Sequence, residues 1–367
     1  MAPWRIPVLV VLMLALHWAP ARAGTFTATE EAEAQAELSG FNMILSGNLT
    51  TSTETEGAVV IGGSVSGATH FCFNGCAGDV GPVTPGGPSY GAATIYGNVN
   101  NNVTMANGDI KVGGNVASGT TIEMSHNGNA YVGGGNAGQI SDGNLYVTGA
   151  NTGTVQNGTA YTGQPLSTTF PYNSFAGTFG NPLADLSTTL KTLNPNLIIS
   201  SNPGSNYVFN AMPTLENGVL VTVYQISASL LSSMQNIAGF NLNGADVVVV
   251  NVLGSTTSLP NLNNFGGASA VIWNMPDETG GLSLSSWAGT VLAPNAAVTN
   301  GGILTGTLVA ASLTQDSELH SQVFTGNLDF LTPASVPEPP GWAVLAGMLP
   351  VLALLRRRRR SRADAGA

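Results

Sequence analysis

The sequence predicts a mainly β protein. Its body is expected to be a β-solenoid, or β-helix, with an α-helix packed along it, an N-terminal signal peptide before it and a C-terminal transmembrane tail after it. Three observations predict this. Short apolar runs recur along the body and close on glycines; Gly97, Gly113, Gly133, Gly149 and Gly163 stand 16, 20, 16 and 14 residues apart. The connecting stretches are rich in Asn, Thr and Ser, which tolerate tight turns, as glycine does at positive φ. Two segments at helical spacing interrupt this rhythm.

Taken in order, Arg5, the apolar stretch 6–16 and Ala21-Arg22-Ala23 before Gly24 have the arrangement of a secretory signal peptide cut after Ala23. That apolar stretch is short of the roughly 20 residues that span a bilayer. Residues 28–38 are strong helix formers with acids early, where the helix dipole favours them, so a helix is expected with Thr29 as N-cap and Gly40 as its end. Strand runs follow at 43–47, 58–63, 94–97, 110–114, 130–134, 145–149 and 160–163. In such a stack each coil buries its apolar side only against the next. A β-sandwich with turns every 8–12 residues is the rival reading.

Leu183, Leu186, Leu190 and Leu193 predict a second helix over 182–193, stopped by Asn194-Pro195. Leu230, Met234 and Ile237 predict a third over 226–237, after a strand at 219–224. Strands resume at 247–252, 270–273, 289–293 and 304–309. A helix laid along the coils, covering their apolar side, reconciles the two patterns.

Charge narrows the partners. Only 8% of residues are charged and the formal net charge is −10, yet six arginines cluster near the C-terminus. Residues 24–335 keep only Lys111 and Lys191 among the Lys and Arg, against 18 acidic residues. A body that acidic repels phosphate backbones, which argues against nucleic acid. At 43% hydrophobic content it is expected to fold rather than stay disordered.

Candidate chemistry is sparse. Cys72 and Cys76, with Asn74-Gly75 between them, favour a disulfide in an exported protein over a metal site that would add His70. Glu318 and His320, two apart beside Asp316, form a candidate functional polar pair, although residues two apart on one strand share a face and make a surface pair equally well. No nucleophile–base order surrounds His70, His126 or His320, so no catalytic residue is assigned and the chain is not expected to be an enzyme. No metal is expected, because Asp277, Glu278, Asp316 and Glu318 are scattered and form no calcium loop. The Gly62-Gly63 and Gly113-Gly114 pairs lack the lysine or helix of a phosphate cradle, and no cofactor is expected.

At the C-terminus, Val336, Pro337, Glu338 and Pro339 precede an apolar stretch over 341–355 and then five consecutive arginines. Arginines after an apolar stretch stay on the cytoplasmic side, leaving the body outside. This three-part tail resembles the PEP-CTERM sorting signal of Gram-negative bacteria that make exopolysaccharide. The resemblance implies recognition by an exosortase, cutting near the motif, and passage of the body to the cell surface or matrix. It divides the chain into a signal peptide (1–23), a body (24–335) and a sorting signal (336–362).

The body has a likeness of its own. Segments 41–49, 56–63, 289–296 and 306–311, with Glu318, His320 and Phe324 after them, resemble the choice-of-anchor A domain of bacterial surface proteins, some described as adhesins. More weakly, 271–274 followed by 289–293 is similar to the closing coils of ice-binding β-solenoids, which also pack a long helix beside the coil. The expectation is an exported adhesin that binds exopolysaccharide or a matrix polymer in a biofilm, anchored transiently through its tail. An ice- or crystal-surface binder is the first alternative. It requires threonines at a fixed period, and the pairs Thr152/Thr154 and Thr305/Thr307 do not supply one. A glycan-active enzyme, needing two carboxylates at hydrolytic spacing, is the second.

Overall fold

A computed structural model describes residues 26–331, apart from 75, 127 and 265. The expected signal peptide (1–23), the sorting motif 336–339, the apolar tail and the arginine cluster lie outside the described residues. Among the described residues, no helix is long and apolar enough to cross a membrane.

Short strands coil around a three-sided shaft. Met43–Leu45, Leu49–Thr51 and Glu54–Thr55 form one coil; Val59–Ile61, Val65–Ser66 and Thr69–Phe71 form the next. On the first face, Met43–Leu45 is followed in the stack by Val59–Ile61, Ala93–Ile95, Ile110–Val112, Asn129–Val132, Asn144–Val147 and Ala160–Thr162. The chain then leaves the shaft, and its second half starts again at the other end. There Leu197–Ile199, Val219–Ser227, Val247–Leu253, Val271–Asn274, Thr290–Asn300 and Leu308–Gln315 stack back toward the start. The last of these pairs with Met43–Leu45, Ile44 opposite Val309. The first coil in sequence therefore sits in the middle of the shaft, at a seam between the two halves.

Pairing along the shaft is parallel. Among the described residues, the antiparallel exceptions are Thr214–Glu216 against Val219–Ser227 and a bridge from Val80 to Tyr90 in an inserted loop. A sandwich would need antiparallel strands throughout, so the solenoid reading stands and the sandwich does not. Corners hold glycine because backbone crowds them: a Cβ on Gly67, which adopts φ +87°, would lie 1.8 Å from the Thr51 carbonyl oxygen.

Burial explains why the first-face strands are apolar without alternation. Met43, Leu45, Val59 and Ile61 point into the shaft, while Ile44 and Val60 point outward under the helices, and all are buried. Helix α1 (Ala28–Gly40) and the later helix Asn181–Lys191 cover this outer side; the latter seats Leu183, Leu186 and Leu190 there together with Phe179. Each such side chain stabilises the packing by roughly 1.5–3 kcal/mol. A polar latch fixes the second helix. Asn251 and Asn274 lie in register, and Asn251 donates from Nδ2 to the Leu190 carbonyl at 2.7 Å. Asn274 donates to the Ser187 carbonyl at 2.9 Å and accepts from the Ser187 hydroxyl at 2.6 Å.

Two expectations are corrected. The N-cap of α1 is Thr27, not Thr29: its side chain accepts from the Glu30 amide, and Glu30 reaches back to the Thr27 amide at 2.7 Å. Thr29 has no such reciprocal partner three residues on, so it falls inside the first turn. The helix expected over 226–237 is reduced to Ala228–Ser233. Strand Val219–Ser227 runs through Gln225, Ile226 and Ser227 because these pair with Asn251, Val252 and Leu253, and Asn236–Asn241 is a strand again. Leu231, Met234 and Ile237 are buried inside the shaft, where the apolar spacing reflects a corner rather than a long helix.

Candidate functional site

The middle face carries the most regular chemistry of the shaft. On it Leu49 and Thr51 are buried and Thr50 projects outward. Thr50 lies in register with Ser66 on one side and Thr314 on the other. Thr314 lies opposite Thr299, Thr299 opposite Ser283, and Ser283 opposite Ser258. Six hydroxyl side chains thus run in one row across the seam, from Ser258 to Ser66. Adjacent members are separated by the strand spacing, about 4.7–4.9 Å. Beyond Ser66 the row changes, since Val65 pairs with Val99, Val99 with Val116 and Val116 with Asn136. The following positions are Asn100, Ala117 and Ala137.

Buried side chains hold the seam, and with it the row, in register. Asn42 donates to the carbonyls of Gly306 and His320, and its Oδ1 accepts from the Gly57 amide at 3.0 Å. Gln315 donates to the Glu54 carbonyl at 2.9 Å while its Oε1 accepts from the Thr51 hydroxyl at 3.0 Å. Thr307 is fully buried and donates to the carbonyls of Leu38 and Phe41. Thr305 lies on the third face beside His320, so Thr305 and Thr307 share no exposed row.

Glu318 and His320 lie together on the third face. Their carboxylate and imidazole meet at 2.8 Å, flanking the buried Leu319. Leu319 pairs with Thr55 across the seam, and that brings Glu318 to a groove of about 450 Å³ lined also by Ser52, Thr53, Glu54, His70 and Asn102. Glu54 and His70 stand 3.8 Å apart. Each carboxylate of the groove thus has an imidazole beside it. Among the described residues, no group of three or more His, Cys, Asp or Glu could hold a metal ion. Asp277 and Glu278 serve the loops. Asp277 pairs with Lys191 at 2.5 Å, an interaction that holds its carboxyl below the usual range, and Glu278 accepts from the Thr256 amide at 2.7 Å.

A disulfide joins Cys72 to Cys76 at the root of the inserted loop. It lies away from the hydroxyl row and tethers the loop that returns to the shaft at Tyr90. On the first face, past the helices, Lys111, Tyr131, Tyr146 and Tyr161 continue one outward row. The tyrosine rings stack at 4.9 and 4.8 Å. Sequence reasoning missed both rows. The tyrosines had a signal, a Tyr in the second position of runs 130–134, 145–149 and 160–163. The hydroxyl row had none, because its members come from both ends of the chain.

A family model described as "Putative Ice-binding-like adhesive domain" matches residues 34–321. Among solved structures, the chain is similar to an ice-binding protein from the Antarctic ascomycete Antarctomyces psychrotrophicus, at 16% identity over 51% of this chain and 91% of that one, with a TM-score of 0.27. It is also similar to an ice-binding protein from an Antarctic bacterium, Flavobacteriaceae, at 13% identity over 78% of this chain and 96% of that one, with a TM-score of 0.24. No curated protein matches the chain.

Proposed function

The chain belongs to the ice-binding-like adhesive domain family, and from that premise we propose that it is a non-enzymatic adhesive module that binds exopolysaccharide or a related matrix polymer. The single observation that carries this reading is the in-register row Ser258, Ser283, Thr299, Thr314, Thr50 and Ser66. Each hydroxyl both donates and accepts, as do the hydroxyls of a sugar polymer. The row is held by a rigid ladder, so little conformational entropy is lost on binding, and repeated display multiplies weak contacts. It holds no charge, so binding through it is insensitive to salt.

The finer assignment rests on sequence motifs. Signal peptide 1–23 exports the body, and the tail with Val336, Pro337, Glu338 and Pro339 is handed to an exosortase, giving a choice-of-anchor A protein at the cell surface or in the extracellular matrix of a Gram-negative bacterium. Ice or crystal-lattice binding is a second reading favoured by the same row, since a flat, periodic line of hydroxyls also suits ordered water.

The test is binding of the purified protein to the producer's exopolysaccharide, with a thermal-hysteresis measurement alongside. Saturable, salt-insensitive polymer binding without hysteresis is expected. Hysteresis without polymer binding replaces the adhesin with the ice reading, and neither effect rejects both.

A further inference from the structure

We propose that copies of this chain stack head to tail through the two ends of the shaft, strand Ala160–Thr162 of one copy pairing in parallel with Leu197–Ile199 of the next. Both strands lie on the first face and run in the same direction, because every pairing between them along that face is parallel. Among the described residues, each has one strand neighbour along that face, Asn144–Val147 for the first and Val219–Ser227 for the second, and no strand pairs with the opposite edge of either. The third face repeats the arrangement. Thr154–Gln156 is the last strand of the nine-stranded sheet of that face, and at the other end Tyr207–Asn210 closes a separate three-stranded sheet that meets the first through the Leu262 amide and the Ser286 carbonyl. Translating a copy along the shaft therefore continues both ladders without reversing a strand.

The side chains at the two ends match this pairing. Residues 156–163 are all exposed, and Tyr161, 41% exposed, ends the ring stack with one face uncovered by another ring. Ile198, 64% exposed, occupies the same outward row at the opposite end, reached through Gln225, Asn251 and Asn274. Met212 and Leu215, in the segment that ends at the hairpin onto Val219–Ser227, are 60% and 67% exposed. Large apolar side chains left open at one end, and an open ring face at the other, gain by covering each other.

Charge and edge protection point the same way. Residues 149–163 contain no charged side chain and residues 196–217 only Glu216, in a chain of net charge −10. Natural edge strands guard against pairing with lysine, proline or bulges. None of these edge strands contains a Lys, Arg or Pro, and of the four Tyr207–Asn210 alone carries an irregular register, between Tyr207 and Val208. A contact between unlike ends is heterologous, so it propagates into a filament instead of closing as a dimer.

The experiment uses the full chain in density-matched detergent, followed by sedimentation velocity. Wild type is expected to grow with concentration past the dimer. Ile198→Lys and Tyr161→Lys each block one end, so each alone is expected to be monomeric. Mixed in equal amounts they keep one complementary pair of ends and are expected to form a dimer that grows no further. A monomeric wild type, a single variant that still self-associates, or a mixture that stays monomeric overturns the proposal. Ile198→Ser and Tyr161→Ser, with melting curves checked against wild type, carry the same test if the lysine variants fail to fold.

Discussion

Thr314 and Thr50 stand side by side in register on the middle face, although they come from the last and first coils of the chain. Their neighbours Gln315 and Thr51 are joined beneath them by a buried hydrogen bond of 3.0 Å. The surface row and the structural seam are thus built from the same strand pair. Alignment of the exposed hydroxyls depends on the polar contacts under them.

Replacing Thr50 and Thr314 together with lysine breaks the row at its centre without touching the core. Each lost contact worth about 1.4 kcal/mol is a tenfold change in affinity. The double variant is therefore expected to bind polymer, or ice, at least tenfold more weakly at an unchanged melting temperature. Glu318→Gln on the third face is expected to leave binding unchanged, and equal losses from both would move the site to the groove. Titration of polymer binding with matched melting curves decides it.

Asn42→Ala leaves the carbonyls of Gly306 and His320 and the amide of Gly57 without their shared partner. Each buried group left unpaired costs about 1–3 kcal/mol. The variant is expected to unfold at lower denaturant, with a loss of at least the ~1–3 kcal/mol of one such group, and the seam is expected to exchange amide hydrogens first. Chemical denaturation and hydrogen exchange measure both, and uniform exchange across the shaft would count against a seam.

Glu37 sits on α1 with its side chain fully buried against the first face, and neither carboxylate oxygen has a hydrogen-bond partner. Burial, and after it the charge of Glu33, raise its pKa well above the ordinary 4.5; Tyr90 and Tyr96 lie close enough to feel its charge. The folded protein holds this proton more tightly than the unfolded chain, so ionisation of Glu37 costs nothing below the unfolded value. Its cost grows as pH rises from there toward the raised folded value. Glu37→Gln is expected to match wild type near pH 4 and to be more stable at pH 7. Thermal melts across pH test this, and an equal difference at both pH values would show that ionisation is not the cause.

The Cys72–Cys76 bridge closes a very short ring at the root of the inserted loop. In the chain-entropy picture such a ring contributes about 2 kcal/mol. Reduction is expected to loosen the loop up to Tyr90 and to leave polymer binding intact, since the hydroxyl row lies elsewhere. Limited proteolysis with and without reductant reads the first effect, and loss of binding on reduction would place the loop in the site.

Local pattern carried much of the architecture. Glycine corners, three- to five-residue apolar runs and the leucines at 183, 186 and 190 suffice for a coil with a helix laid on it, because each signal is read within one turn of chain. Where a segment's fate depended on its strand partner, local pattern misled. Ile226 and Ser227 look like the start of a helix but extend a strand, since Val252 and Leu253 offer a complete ladder beside them.

Composition and short motifs were likewise enough to point to a charge-poor, repetitive body. Only the tertiary structure decided that the first coil lies in the middle of the shaft and that Thr314 lies beside Thr50. The same holds for Glu318, which reaches the groove of Glu54 and His70 only through the seam. The physical reason is that a side-chain row across a solenoid is ordered by which coils stack, and stacking is settled by buried contacts such as those of Asn42 and Gln315 between residues remote in sequence.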